Sequence, residues 1–452
     1  MNFVGQNIFG HLISGDSRSV KAKKNIFASF FIKAFDALIT FMLVPLTLGY
    51  LNPYEYGIWI TMSSILVWID SFDIGLGSGL RNKLGTAIAK NDYEEGRYYV
   101  STTLFMLIAL ALSIFGIFVL INNFIDWNLL LNIADGTVNN IKEIVLVSFL
   151  FFCINFVLKF IGNVYQAMQL PAINNIITLS GHLVSLVVIF ILIRVVPGSL
   201  MGVAMAYSAA LPVVYFICYP ITFGKLYPKL APSFKFFRTD FLKELLSLSM
   251  SFFVLQIMGL VLFSFSNLII SNMFGPDQVT PYGICNRYFS IVTSIFGLLL
   301  APIWSATTDA YAKKDFDWIN NSLHKIHRIL MLVTVIAVLM LVFSVPVYHL
   351  WIGSDVEIPF TMSLLVACFT MINLLSLSYS SFLFGMGILR IQMITIIIAA
   401  ALFYPLCRVL AGFVGVNGIV LGMCLINIPG AIVNNIQLHK VISGQAKGIW
   451  LK

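Results

Sequence analysis

Three basic side chains and one acid stand where an apolar chain has least room for them. Lys33 and Asp36 lie three residues apart midway through an apolar run, on one face of any helix it forms. Arg287 sits inside another such run, about two turns from its outer end. Lys159 is near the end of a third. A charge in hydrocarbon costs several kcal/mol, so such groups pair, reach an interface or line a polar cavity. A guanidinium grips two phosphate or sugar oxygens at once, whereas an ammonium acts as a point charge. The competing readings are an ion pair between Lys33 and Asp36, snorkelling or carboxylate pairing of Arg287, and snorkelling of Lys159.

Weaker polar signals surround these four. His182 reads as a hydrogen-bonded packing residue. Asn155, Asn163, Gln166, Gln256 and Asn267 either bind hydroxyl groups or link helices. Asp70 and Asp73 are expected to pair with basic neighbours such as Arg81 or Lys83. Gly75-x-Gly77-x-Gly79 lacks the further glycine of a dinucleotide loop and ends a membrane helix instead of following a strand. There is no P-loop and no H-E-x-x-H pattern, so neither ATP-driven transport by this chain alone nor enzyme catalysis is expected. No cofactor or metal is implied. The six cysteines lie in apolar runs without a C-x-x-C pair and read as small hydrophobes.

The elements that must position these groups are membrane helices. Of 452 residues, 59% are apolar and 10% charged, against about 25% charged in a soluble domain. Mean hydropathy is +0.94. That excludes a cytosolic enzyme, a disordered chain and a secreted disulfide scaffold. Twelve apolar spans are expected: 25–49, 55–78, 98–122, 142–161, 173–195, 199–223, 244–273, 281–304, 327–350, 358–384, 388–411 and 416–438. The net charge of +8 reflects basic loops, not nucleic-acid binding. Lys and Arg crowd the N-terminus, the even-numbered loops and the tail, leaving Lys142, Arg194 and Arg408 opposite. Both termini are therefore expected in the cytoplasm. Arg18, Lys21, Lys23 and Lys24 follow the short first apolar stretch, the reverse of a secretory signal. That stretch is either an interfacial amphipathic helix or a disordered leader.

Two landmarks recur in the same order. Tyr56-Gly57-Ile58 returns as Tyr282-Gly283-Ile284, and Ala87-Ile88-Ala89-Lys90-Asn91-Asp92 as Ala310-Tyr311-Ala312-Lys313-Lys314-Asp315. The offsets, 226 and 223 residues, are close to half the chain. They suggest two six-span copies of parallel topology, with a site near the midplane where they meet. The expected fold is an all-α polytopic membrane protein of about twelve transmembrane helices in two six-helix lobes. Its parts are a cytoplasmic N-terminal segment (1–24), an N-terminal lobe (25–224), a basic cytoplasmic linker (225–243), a C-terminal lobe (244–438) and a cytoplasmic tail (439–452).

The stretch Asp73-Ile74-Gly75-Leu76-Gly77-Ser78-Gly79-Leu80-Arg81-Asn82 closely resembles the D-x-G-L-G-x-G-L-R-N pattern of bacterial polysaccharide flippases. These belong to the multidrug/oligosaccharidyl-lipid/polysaccharide (MOP) exporter superfamily. The resemblance covers nearly the whole chain in layout and one stretch in specific residues. It implies alternating-access export of undecaprenyl-diphosphate-linked O-antigen or capsule units across the bacterial inner membrane, through a cationic cavity. H+ or Na+ is the candidate coupling ion, and polysaccharide polymerase machinery the candidate partner beyond substrate and membrane lipids. The matching cavity residues are Lys33 and Arg287, one from each half, with Asp36 and Lys159 nearby. Asp36 makes the cavity less basic than the family pattern. The nearest rival is a cation-coupled drug antiporter of the same superfamily, with Asp36 as its carboxylate. A major-facilitator carrier lacks support because its Gly-x-x-x-Asp-Arg-x-Gly-type signature is missing. A glycosyltransferase or polymerase would carry a large polar loop, and none is present.

Overall fold

The computed structural model describes residues 17–66, 76–134, 136–168, 170–241 and 250–451. The N-terminal stretch up to residue 16, Asp70, Asp73 and the end of the basic linker lie outside the described residues. So does the side chain of Gln256.

Each of the twelve expected spans lies mostly on helix over its described part, with breaks inside three of them at Lys159, Ala209 and Phe343. Among the described residues, nine helical stretches are long and apolar enough to cross a membrane. The first half contains α1 (Ser17–Tyr50), α2 (Pro53–Leu66), α3 (Leu76–Ala89) and α4 (Tyr93–Asn122). Next come the short α5 (Trp127–Leu131), α6 (Ile141–Leu158) and α7 (Phe160–Ala167). Then follow α8 (Pro171–Val195), α9 (Leu200–Ser208) and α10 (Ala210–Pro220). The second half contains α11 (Met250–Phe274), α12 (Pro276–Ala312), α13 (Phe316–Val342) and α14 (Ser344–Ile352). It ends with α15 (Phe360–Met386), α16 (Arg390–Val414) and α17 (Val416–Ile442). In hydrocarbon every backbone polar group must be satisfied within the segment, and uninterrupted helices of 25 residues or more do that.

Contacts divide the chain into two units. One comprises residues 1–46, 69–124 and 142–250; the other comprises 47–68, 125–141 and 251–452. In the first unit, Ile39 and Leu43 of α1 pack with Ile189 of α8 and Ala206 of α9. Ser185 donates across the α8–α9 seam to the Ala206 carbonyl at 3.0 Å. The basic segment after α10 is docked on the start of α4. Arg97 donates to the Ala231 carbonyl at 2.7 Å and lies 4.1 Å over the Phe236 ring. Ser101 and Thr102 accept from the backbone N–H groups of Ser233 and Arg238.

In the second unit, α15, α17, α12 and α13 share a core around Phe296, Leu323, Leu374, Phe382 and Leu438. There α2 and α12 run side by side in parallel register. Gly57 lies against the Pro276 carbonyl and Thr280, and three residues on, Ile60 meets Gly283. Thr280 also donates to the Pro53 carbonyl at 2.5 Å. The helices that carry the two Tyr-Gly-Ile landmarks thus pack on one another, with a glycine from each landmark making room for the crossing.

The second landmark folds the same way twice. Asn91 and Lys314 both take the left-handed conformation, φ 59° and 58°. Asp92 and Asp315 donate their backbone N–H to the Ala87 and Ala310 carbonyls, each at 2.9 Å. Their carboxylates then cap the next helices, accepting from the backbone N–H groups of Glu95 and Trp318, again at 2.9 Å.

Candidate functional site

The four charged residues singled out by type and spacing sit in different settings. On α1, successive residues turn by about 100°. Phe31, Phe35, Leu38 and Met42 therefore form one exposed apolar stripe, and Lys33, Asp36 and Thr40 share the opposite face. Lys33 is exposed and has no ion-pair partner among the described residues. Asp36 is 22% exposed and its Oδ1 lies 2.6 Å from Nδ1 of His182, which is 35% exposed. The partner of Asp36 is therefore an imidazole on α8, 146 residues along the chain. Sequence spacing pointed only to Lys33. Thr40 turns its hydroxyl back to the Asp36 carbonyl at 2.8 Å, leaving the carboxylate to the imidazole.

Lys159 stands at the break between α6 and α7, half-buried, with its ammonium 5.3 Å from the centre of the Phe156 ring. Nearby in the same unit, Arg81 of the glycine-rich motif donates to Oε1 of Gln166 at 3.3 Å. Arg287 is in the other unit. Its neighbours Cys285, Tyr288 and Phe289 are buried, while Arg287 itself is exposed beside exposed Asn286. Ser290 and Ser294 continue that side of α12 at helical spacing. Among the described residues Arg287 has no carboxylate partner. An arginine on a polar stripe of a membrane helix needs water or an anion opposite it, because lipid satisfies none of its donors.

A second feature, not anticipated from the residues, lies wholly within the second unit. A half-open cavity of about 880 Å³ is lined by α11, α15, α16 and α17. None of its described lining residues is charged. Its polar groups are carboxamides and hydroxyls, notably Ser376, Ser380, Gln392, Thr395 and Asn434. Gln392 is 5% exposed, and neither its Oε1 nor its Nε2 has a hydrogen-bond partner. Asn434 spends its Nδ2 on Ser380 at 3.1 Å and Ser376 at 3.5 Å, while its Oδ1 has no partner. Buried polar groups are ordinarily paired, so idle carboxamide atoms in the wall of a cavity are exceptions that call for a cause. The only hint in the sequence is the recurrence of Asn, Gln and Ser within apolar spans, a pattern that helix-to-helix linking also produces. Asn155 and Asn267 likewise hold buried, unpartnered carbonyl oxygens.

Long apolar helices, with a few cations inside them, define a polytopic membrane protein. The fold is that of MOP-superfamily transporters. It matches an inward-facing multidrug resistance MATE family transporter of that superfamily with a TM-score of 0.70 at 16% identity, covering 92% of this chain and 95% of that one. It also matches a MOP superfamily transporter from Pyrococcus furiosus whose binding pocket is described as of reverse polarity, with a TM-score of 0.67 at 15% identity over 97% and 98% of the two chains. Residues 22–308, more than half of the chain, match the family described as polysaccharide biosynthesis protein, and the chain belongs to it. A Salmonella typhi protein is 21% identical over 310 residues, 68% of this chain and 67% of that one. Its assigned role as an O-antigen transporter is itself provisional. The chain thus belongs to the polysaccharide biosynthesis protein family and has the fold of multi-pass MOP-superfamily transporters.

Proposed function

We propose that this protein is a flippase that carries undecaprenyl-diphosphate-linked oligosaccharide units from the cytoplasmic to the outer leaflet of the bacterial inner membrane. Both termini are cytoplasmic in this reading, and the exported unit passes to a polymerase. The observation that carries it is Arg287, a guanidinium without a carboxylate partner among the described residues, on a polar stripe of a membrane helix, in a chain of the polysaccharide biosynthesis family. A lipid diphosphate is anionic and does not cross hydrocarbon unaided. A guanidinium meets it with two parallel charge-assisted hydrogen bonds. Lys33, on the polar face of α1, supplies a second, point-like charge, and Lys159 a third. Two six-helix lobes alternating in access would move the headgroup while the polyprenyl tail stays in the bilayer. Binding and movement suffice, since no covalent bond changes.

The Asp36–His182 pair, a carboxyl oxygen and an imidazole nitrogen 2.6 Å apart, is the part best suited to a coupling proton. The same pair favours the second reading, a cation-coupled multidrug antiporter. Complementation of a flippase-null strain separates the two. Surface polysaccharide restored by the wild-type chain, together with unchanged drug tolerance, supports the flippase. Drug tolerance without surface polysaccharide supports the antiporter.

A further inference from the structure

The donor and acceptor inventory of the second-unit cavity specifies its guest. Gln392 offers one carbonyl oxygen and one NH₂ group, both unused, and Asn434 offers a further unused carbonyl oxygen. The guest must therefore donate at least twice and accept at least once. A phosphate or diphosphate only accepts, and it would face two carbonyl oxygens with nothing to give them. An organic cation only donates, and no carboxylate lies among the described lining residues to hold it. A sugar hydroxyl does both, and an acetamido group carries one donor and one acceptor on adjacent atoms.

The rest of the wall agrees with this. Phe384 lines the cavity and stacks, tilted, on Trp304 with ring centres 5.1 Å apart. That gives an apolar platform for the C–H face of a pyranose. Pro429 of α17 also lines it. It lacks the N–H that the carbonyl of Leu425, another lining residue, would accept in a regular helix. The volume, about 880 Å³, lies toward the upper end of the roughly 300–1,000 Å³ usual for ligand pockets.

We propose that the cavity bounded by α15, α16 and α17 is a subsite for an uncharged sugar residue, read by the carboxamides of Gln392 and Asn434, and that it selects which glycan is exported. The proposal rests on the flippase reading for its biological meaning, while the subsite itself is tested without transport. Charge recognition and glycan recognition are then separate tasks, performed by different residues.

The test uses the full-length chain in phosphatidylcholine nanodiscs, with octyl N-acetyl-β-glucosaminide as probe and octyl phosphate as competitor. Titration calorimetry is expected to show glycoside binding that octyl phosphate does not displace. Gln392→Leu is expected to weaken it by about tenfold or more, from two lost hydrogen bonds. Without glycoside, the same variant should melt at or above the wild-type temperature, because an unpaired buried amide gives way to an apolar side chain. Gln392→Met, which keeps the length and loses both the donor and the carbonyl acceptor, is the second variant should Gln392→Leu not fold, and it should weaken binding too. Equal affinity in wild type, Gln392→Leu and Asn434→Leu overturns the proposal. So does an absence of glycoside binding, which means that water alone occupies the amides, and so does displacement by octyl phosphate. In cells, Gln392→Leu should lower surface glycan at unchanged protein level. Binding lost in vitro with no glycan phenotype for the whole gene would refute the flippase reading and keep the subsite. Normal export by Gln392→Leu would refute the subsite and keep the flippase.

Discussion

The turn at 87–95 and the turn at 310–318 are one piece of structure built twice. Each has a left-handed residue, a backbone bond from the aspartate to the alanine five residues back, and an aspartate cap on the next helix, with matching distances. The helices leading into them carry different chemistry. Arg81, 223 residues before Trp304, bonds to Gln166. Trp304 instead stacks on Phe384 beside the uncharged cavity. The two turns share one geometry, which ends one helix and starts the next, while the helices leading into them present different side chains.

The largest effect is expected where a single charge does the work. Arg287→Ala should drop surface glycan to background in a flippase-null strain, with membrane protein level kept. Arg287→Lys should restore part of it, since a point charge replaces a two-pronged grip. Lys33→Ala should reduce export less, because an ammenable flexible ammonium contributes attraction without fixed geometry. Full export by a normally expressed Arg287→Ala protein would move the headgroup site elsewhere.

Next comes the paired glycine crossing, where the two copies of one motif should respond unequally. A Cβ on Gly57 would lie 1.8 Å from the Pro276 carbonyl oxygen, a backbone atom that cannot move alone. On Gly283 it would meet the tip of Ile60 at 2.6 Å, which a rotamer change relieves. Gly57→Ala should cost about 3 kcal/mol, at or beyond the usual range for overpacking, and Gly283→Ala about 1 kcal/mol. Thermal unfolding in detergent reads the difference. Equal losses would mean that the crossing is symmetric after all.

These contrasts also mark what the residues alone disclose. Spans are legible because hydrocarbon demands long apolar helices, and each of the twelve expected lies mostly on helix over its described part. The shared turn is legible because a helix cap restricts residue type, so Lys-x-Asp recurs where the helix faces differ. The partner of Asp36 was not legible. Lys33 is three residues away and His182 is 146, and only packing of α1 on α8 decides between them. Nor was the cavity, since Gln392 and Asn434 look like helix-linking amides until their missing partners are seen. The meeting of Gly57 with α12 was hidden for the same reason: each landmark is a local string, and neither says which helix it meets.

The smallest effect separates the two turns most finely. Asp92→Ala and Asp315→Ala should each cost about 1 kcal/mol, the usual value for losing such a cap, and within about 0.5 kcal/mol of each other if the turns are equivalent. The left-handed position should not behave alike in the two. Asparagine tolerates that conformation because its short side chain bonds locally, whereas lysine bears most of the roughly 1–2 kcal/mol clash of its Cβ with the carbonyl. Asn91→Lys should therefore destabilise the protein, and Lys314→Asn should stabilise it by up to about 1 kcal/mol. Both are read as shifts of the unfolding midpoint. A stabilising Lys314→Asn would show that the second copy retains a strained residue for a reason other than folding, such as a cation held at that loop. A neutral result would mean that Lys314 gains from its surroundings what it loses in its backbone, and that the two turns are equivalent in energy as well as in shape.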